Sequence, residues 1–378
     1  MIKKFLVLFL CAALAACGGN KPETPVDNPS EDVTPSEEPV SQDPSSESPA
    51  SVDPSVEPSV EPSQEPQPTF CDLIAQAGWT DVEDAYGELP EGITVFRSPE
   101  KLLNIPVIAY IAVADLSKID FNVWSIKDVG TKGTKESFKT PAKVYSGGSQ
   151  PIIINAGFFF SDSGTNYSAS LAVSNSELFA NNINYTSQDW VTIWYPTRGA
   201  LLEEKDGTYQ ACWTYFISEQ KHYVYQNPAD NSWSKAPLKA PTATFPESAK
   251  KMTAVNGIGG GPVLVKNGEI RNTYVQEMFD GPSGISPESR HPRTAIGVSE
   301  DDAYMVLFVC EGRQMTAGIA GLTHAELAQI MLDLGCGDAL NLDGGGSSCM
   351  LVNGKETIKP SDGSQRAVAS TVMFTAKK

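Results

Sequence analysis

One carboxylate followed by three residues without side chains is the most chemically suggestive feature of this chain. In Asn341-Leu342-Asp343-Gly344-Gly345-Gly346-Ser347-Ser348, an apolar run ends on Asp343 and then exposes bare backbone. Each glycine weakens a strand, so three in a row imply a special turn or close approach by something other than protein. Successive amides of Gly344, Gly345 and Gly346 could form an anion-cradling nest, with the Ser347 and Ser348 hydroxyls beside it. The competing reading is a tight turn that happens to follow an aspartate.

Three other segments have the same form of an apolar strand ending in a polar tip. Pro151 to Ile154 stops at Asn155-Ala156-Gly157-Phe158-Phe159; Arg293 opens the strand to Val298; and Tyr304 to Cys310 empties into Glu311-Gly312-Arg313-Gln314. A sheet that gathers these ends would bring Asn155, Gly157, Arg293, Glu311, Arg313 and Asp343 into one cleft.

The elements that must position them are mostly strands. Ile105 to Ala114 and Phe121 to Ile126 are rich in β-branched and aromatic residues, and Ala200 to Leu202 returns through Asp206-Gly207 into Tyr209 to Phe216. Asn267-Gly268 and Asn353-Gly354 mark two further hairpins, since Asn-Gly supplies the positive φ angles of a type I′ turn. One helix is expected after Thr323, with Glu326 completing a capping box and Leu327, Ile330, Met331 and Leu334 at helical spacing before Gly335. The fold class predicted is α+β: a mixed, largely antiparallel sheet with a few packed helices.

The start of the chain predicts where it works. Lys3 and Lys4 precede an apolar stretch too short to span a bilayer, so residues 1–16 read as a signal peptide. Leu14-Ala15-Ala16-Cys17 has the pattern of a bacterial lipoprotein cleavage site, with lipid on Cys17. Residues 17–68 form a Pro/Ser/Glu-rich linker; from Lys21 to Pro68 it holds twelve acidic residues, one lysine and no aromatic residue, so it cannot build a core. The expected location is the bacterial cell envelope, lipid-anchored at the outer membrane on its periplasmic or surface face, with the membrane engaged through the lipid alone. Removing the linker's −11 and the leader's +2 from the total of −18 leaves −9 for residues 69–378, the expected folded domain. That balance argues against nucleic acid as a partner, and no protein partner is predicted. Of seven cysteines, Cys71, Cys212, Cys310, Cys336 and Cys349 lie in this domain; a Cys336–Cys349 bridge and buried free thiols both remain open. Only three histidines and no Cys-x-x-Cys leave little for a zinc site.

Taken together, Arg290-His291-Pro292-Arg293-Thr294-Ala295-Ile296-Gly297, Glu311-Gly312-Arg313-Gln314, Thr323-His324-Ala325-Glu326-Leu327-Ala328 and the Asp343 motif resemble, in order and spacing, the phosphodiester glycosidase family. The likeness runs from about Ile153 to Ala369 and includes Pro360-Ser361-Asp362. Two departures stand out. Ala156 replaces a glycine, which would narrow approach to that backbone, and Glu311 replaces an aspartate, moving the carboxyl by about 1.5 Å. Asp189 to Pro246, with Trp190, Trp194, Trp213 and Trp233, aligns with nothing.

The resemblance implies hydrolysis of a sugar-1-phosphodiester, such as an N-acetylglucosamine-α-1-phosphodiester, to free sugar and phosphomonoester. It also implies that the partner is a phosphoglycan or sugar-1-phosphodiester. A phosphomonoester leaves readily, its second pKa being ~6, so a second catalytic carboxyl of the usual glycosidase kind is optional. Asp343 is then the catalytic nucleophile or general base, with Glu311 in reserve as acid, base or metal ligand. Arg293 and Arg313 would grip the phosphate as planar forks, with Arg366 a third candidate. No cofactor is expected, and a divalent cation only through Asp343 and Glu311. The alternatives are a noncatalytic glycan-binding lipoprotein and a metal-dependent phosphodiesterase.

Overall fold

The computed structural model describes residues 68–377; the inferred leader, Cys17 and nearly all of the linker lie outside them. Within this range Thr69 caps the helix Phe70–Gln76 through a capping box with Asp72.

The domain is predominantly β. An eight-stranded sheet runs in the order Thr80–Asp81, Ile93–Arg97, Ala109–Asp115, Tyr304–Cys310, Arg293–Ser299, Cys336–Asn341, Val263–Lys266 and Glu269–Ile270. A seven-stranded sheet is built around Arg198–Glu203 and Tyr209–Ser218. A five-stranded sheet carries Ile152–Asn155 between Met350–Val352 and the C-terminal strand Ser370–Ala376. Every pairing between these strands is antiparallel, so the parallel component expected of a mixed sheet is missing among the described strands.

The central strands of the eight-stranded sheet are buried on both faces. Ala295, Val306, Phe308 and Ala339 turn toward Leu327 and Met331 of the helix His324–Asp333. Ile296, Leu307, Val309 and Leu340 turn the other way, into the main core with Trp213, Phe121 and Phe374. This period of two lets one strand join two apolar layers, and each large side chain so buried contributes about 1.5–3 kcal/mol. Thr323 caps the helix and Glu326 completes the box, as the sequence predicts. Both Asn-Gly hairpins form, with positive φ at Asn267, Gly268, Asn353 and Gly354.

One expected strand is broken. Ile105 to Ala114 divides into Ile105–Pro106, which turns back on Lys101–Leu102 through Leu103 and Asn104 at positive φ, and Ala109–Asp115 in the large sheet. All five cysteines among the described residues are free thiols, and all but Cys71 are buried, which decides against the Cys336–Cys349 bridge.

Candidate active site

Two sheets meet where the strand Cys336–Asn341 ends. The Asp343 amide donates to the Ala156 carbonyl at 2.8 Å, joining the eight-stranded sheet to the end of Ile152–Asn155 in the five-stranded one. Asn155, fully buried, closes the joint: its Nδ2 donates to the Asp343 carbonyl at 2.6 Å, while its Oδ1 accepts from Thr294 Oγ1 and the Cys349 amide at 2.9 and 3.0 Å. Ser348 is buried here too, its hydroxyl hydrogen-bonded to Thr294 Oγ1 at 3.2 Å. Asn155 and Ser348 therefore fix the backbone that carries Asp343. Ala156 is fully buried in the core, so its methyl narrows no approach to the site.

The glycine run has a different cause from the one its composition implies. A Cβ at Gly344 would lie 2.7 Å from the Pro292 carbonyl oxygen, and one at Gly345, whose φ is +60°, would lie 2.7 Å from Nη2 of Arg313. At Gly346 it would run into Arg366 and Asp362. Protein side chains crowd this backbone. Two of the three amides expected to form a nest are also taken, Gly345 donating to the Pro292 carbonyl and Gly344 to the Asp343 carboxylate, while Ser347 and Ser348 donate back to Gly344 and Gly345. Gly157 likewise abuts Ser170 and the Gly259 carbonyl, and its amide donates to Ser370 Oγ at 3.0 Å.

Arginines surround the loop, and their hydrogen bonds divide them. A guanidinium has five N–H donors. Arg293, 3 % exposed, spends all of them inward, on the carbonyls of Leu322, Ile285, Ser286 and Ser289 and on His324 Nε2. Burial and the Arg293 charge hold the His324 pKa well below the usual imidazole range, so its neutral ring accepts that bond. This revises the expectation for Arg293: it has no donor left for a phosphate and serves as the brace behind Gly344. Arg293→Ala is expected to cost about 3–5 kcal/mol by stranding buried acceptors, read as a lower midpoint in urea; near wild-type stability would show that the loops are held by other means.

Arg313 and Arg366 are the open pair. The Arg313 guanidinium makes one hydrogen bond, to Ser361 Oγ at 3.3 Å, and stands 3.9 Å from Asp362. Arg366 donates to Asp362 Oδ2 from Nε and Nη2 at 2.9 and 2.5 Å and to Ser347 Oγ from Nη1 at 3.2 Å. Both are about half-exposed and keep unspent donors. Asp362 thus aligns two cations beside the glycine loop. The sequence reading ranked Arg366 third and gave Asp362 no role; their four-residue separation beside Ser361 was the available signal.

Burial pushes the Asp343 pKa up to about 6, opposed by the Ser347 hydroxyl, the Arg366 charge, the Gly344 amide and the Arg313 charge. The residue as a whole keeps some contact with solvent. Glu311 stands apart. It is 4 % exposed, its Oε1 accepts from the Lys359 amide at 3.1 Å, and its Oε2 is buried without a partner. It makes no hydrogen bond to Asp343 or to either open arginine. Among the described residues no group of three or more His, Cys, Asp or Glu side chains is placed to hold a metal ion. Burial depresses the His222 pKa to about 4, and the ring packs edge-on against Phe216 as a core residue.

A profile described as phosphodiester glycosidase matches residues 149–375, more than half of the chain and every residue of the site above. The chain belongs to the phosphodiester glycosidase family. The match begins just before Ile152–Asn155 and ends inside Ser370–Ala376. The SPbeta prophage-derived uncharacterized protein YomE of Bacillus subtilis is 40 % identical over 122 residues, 32 % of this chain; the alignment spans only 18 % of that protein's length. A hypothetical protein from Synechocystis superposes with a TM-score of 0.49 at 16 % identity, over 76 % of this chain and 62 % of the other. The catalytic domain of zebrafish N-acetylglucosamine-1-phosphodiester alpha-N-acetylglucosaminidase gives 0.47 at 19 %, over 76 % and 83 %.

Proposed function

We propose that this protein hydrolyses sugar-1-phosphodiesters, N-acetylglucosamine-α-1-phosphodiesters being the model substrates, to free sugar and a phosphomonoester. Asp343 attacks the anomeric carbon or deprotonates the water that does. Arg313 and Arg366 hold the phosphate and take up the charge that develops on it as the C–O bond breaks. The observation that carries this reading is a carboxylate of raised pKa linked by Ser347 to one of two arginines with unspent donors. Because the leaving phosphomonoester is a good leaving group, a lone carboxylate suffices and Glu311 need not be the acid. With Cys17 as the lipid-bearing residue, the substrate is a phosphoglycan of the cell envelope.

Turnover in heavy-oxygen water tests the reaction. Label is expected in the released sugar. Label in the phosphate would overturn the assignment in favour of phosphodiesterase chemistry, and absence of turnover would favour a glycan-binding role.

A further inference from the structure

Arg198 opens the strand Arg198–Glu203 and is 7 % exposed. Among the described residues its guanidinium has no hydrogen-bond acceptor and no ion pair, and its Nε is enclosed without a partner. The Phe279 ring lies beneath it, 4.2 Å from Cζ to the centroid. The acid whose charge reaches it is Glu277. That carboxylate is already saturated by the amides of Gly199 and Val263, Trp213 Nε1 and Thr273 Oγ1, at 2.6–3.0 Å. A buried cation left unpaired costs several kcal/mol, and one aromatic face offsets only part of it. Arg293 shows what this fold does with a buried guanidinium that serves structure: it fills every donor.

The position links Arg198 to the site. The Phe279 ring packs against Phe158 with centroids 5.3 Å apart. Phe158 is only half-buried and follows Ala156, the residue bonded to the Asp343 amide, by two positions. Asp343 and Arg198 are thus connected through one hydrogen bond, the backbone from Ala156 to Phe158, and two ring contacts.

We propose that Arg198 binds a second anionic group of the substrate, a carboxylate or phosphate additional to the scissile phosphodiester, with Phe158 and Phe279 forming the wall between the two anion sites. This rests on the function proposed above and narrows its substrate class to sugars or aglycones that carry a further negative charge.

Two matched substrate pairs locate that charge. One compares a glucuronic acid 1-phosphodiester with its glucose counterpart; the other compares a glycerol-phosphate-extended aglycone with a methyl aglycone. Wild type is expected to favour the doubly charged member of one pair by about 10–100-fold in KM, the worth of one charge-assisted hydrogen bond, and Arg198→Met to lose that preference. A wild type indifferent in both pairs, or a preference surviving in the variant, overturns the proposal. If nothing is turned over, the proposed function fails on its own, and the same compounds are scored by thermal shift: stabilisation by a doubly charged compound, absent with Arg198→Met, supports the anion site. The unliganded variant separates the remaining case. Losing an unpaired buried charge should leave Tm equal or higher, whereas a fall of more than about 5 °C makes Arg198 a structural residue and overturns the assignment.

Discussion

Asp343→Asn is expected to lower kcat/KM for a sugar-1-phosphodiester by about 10³-fold or more, in line with the loss of a positioned base or nucleophile, while the protein folds normally. The amide keeps the shape of the side chain, so the bonds of Asn155 and Ala156 to this backbone persist. The stability of the variant carries its own sign. The folded pKa of Asp343 is about 6, above the roughly 3.9 of an unfolded aspartate. The native state therefore holds the proton more tightly, and this contribution is full below about pH 4 and lost as pH rises through 6. At neutral pH the ionised carboxylate is a burden, so Asp343→Asn should be more stable than wild type by roughly 1–3 kcal/mol, toward the lower end given its contact with solvent. That advantage should vanish in acid. Activity runs the opposite way: the working form is the carboxylate, so kcat/KM should rise through an apparent pKa near 6. Urea denaturation at pH 4 and 7 and a pH profile test both halves. A variant retaining near wild-type turnover removes Asp343 from the chemistry.

Removing both open arginines should cost nearly as much. Arg313→Ala and Arg366→Ala are each expected to lower kcat/KM about 10–100-fold, one charge-assisted contact apiece, and the double variant by about 10³-fold. Arg-to-Lys changes should restore little, because a point charge cannot reproduce a two-oxygen fork. A second readout separates phosphate binding from general damage. Both guanidinium groups help hold the Asp343 pKa down, so without either one the acid limb of the pH profile should move above 6. If both single variants left the profile and KM unchanged, the phosphate site would lie elsewhere.

What could be read in advance was governed by how local its cause is. The capped helix after Thr323 and the hairpins at Asn267-Gly268 and Asn353-Gly354 follow from neighbours within four residues. The break before Ala109 does have a local cause, since Asn104 readily takes positive φ and Pro106 interrupts the run, but the β-branched and aromatic residues around them read as one strand. Arg293 and Arg366 show the limit most clearly. Each is an arginine beside a polar segment, and only distant acceptors tell them apart: Leu322 and the loop from Ile285 to Ser289 consume the first, while Ser347 and Asp362 hold the second only in part. The glycine triplet was legible as a place of close approach, but whether a ligand or the chain itself approaches depends on Asp362 and Arg366, sixteen and twenty residues after Gly346, and on earlier groups, the Pro292 carbonyl and the Arg313 side chain.

Asp362 holds Arg366, and more loosely Arg313, where solvent reaches both guanidinium groups. Dissolved ions share that space with the substrate. At an ionic strength of 0.15 M charge is felt over only about 8 Å, and at 1 M over about 3 Å. Capture of the phosphodiester should therefore weaken steeply in brine, while the rate at saturation, set by the sheltered carboxylate, changes far less. A site arranged in this way responds to the saltiness of its surroundings chiefly through affinity.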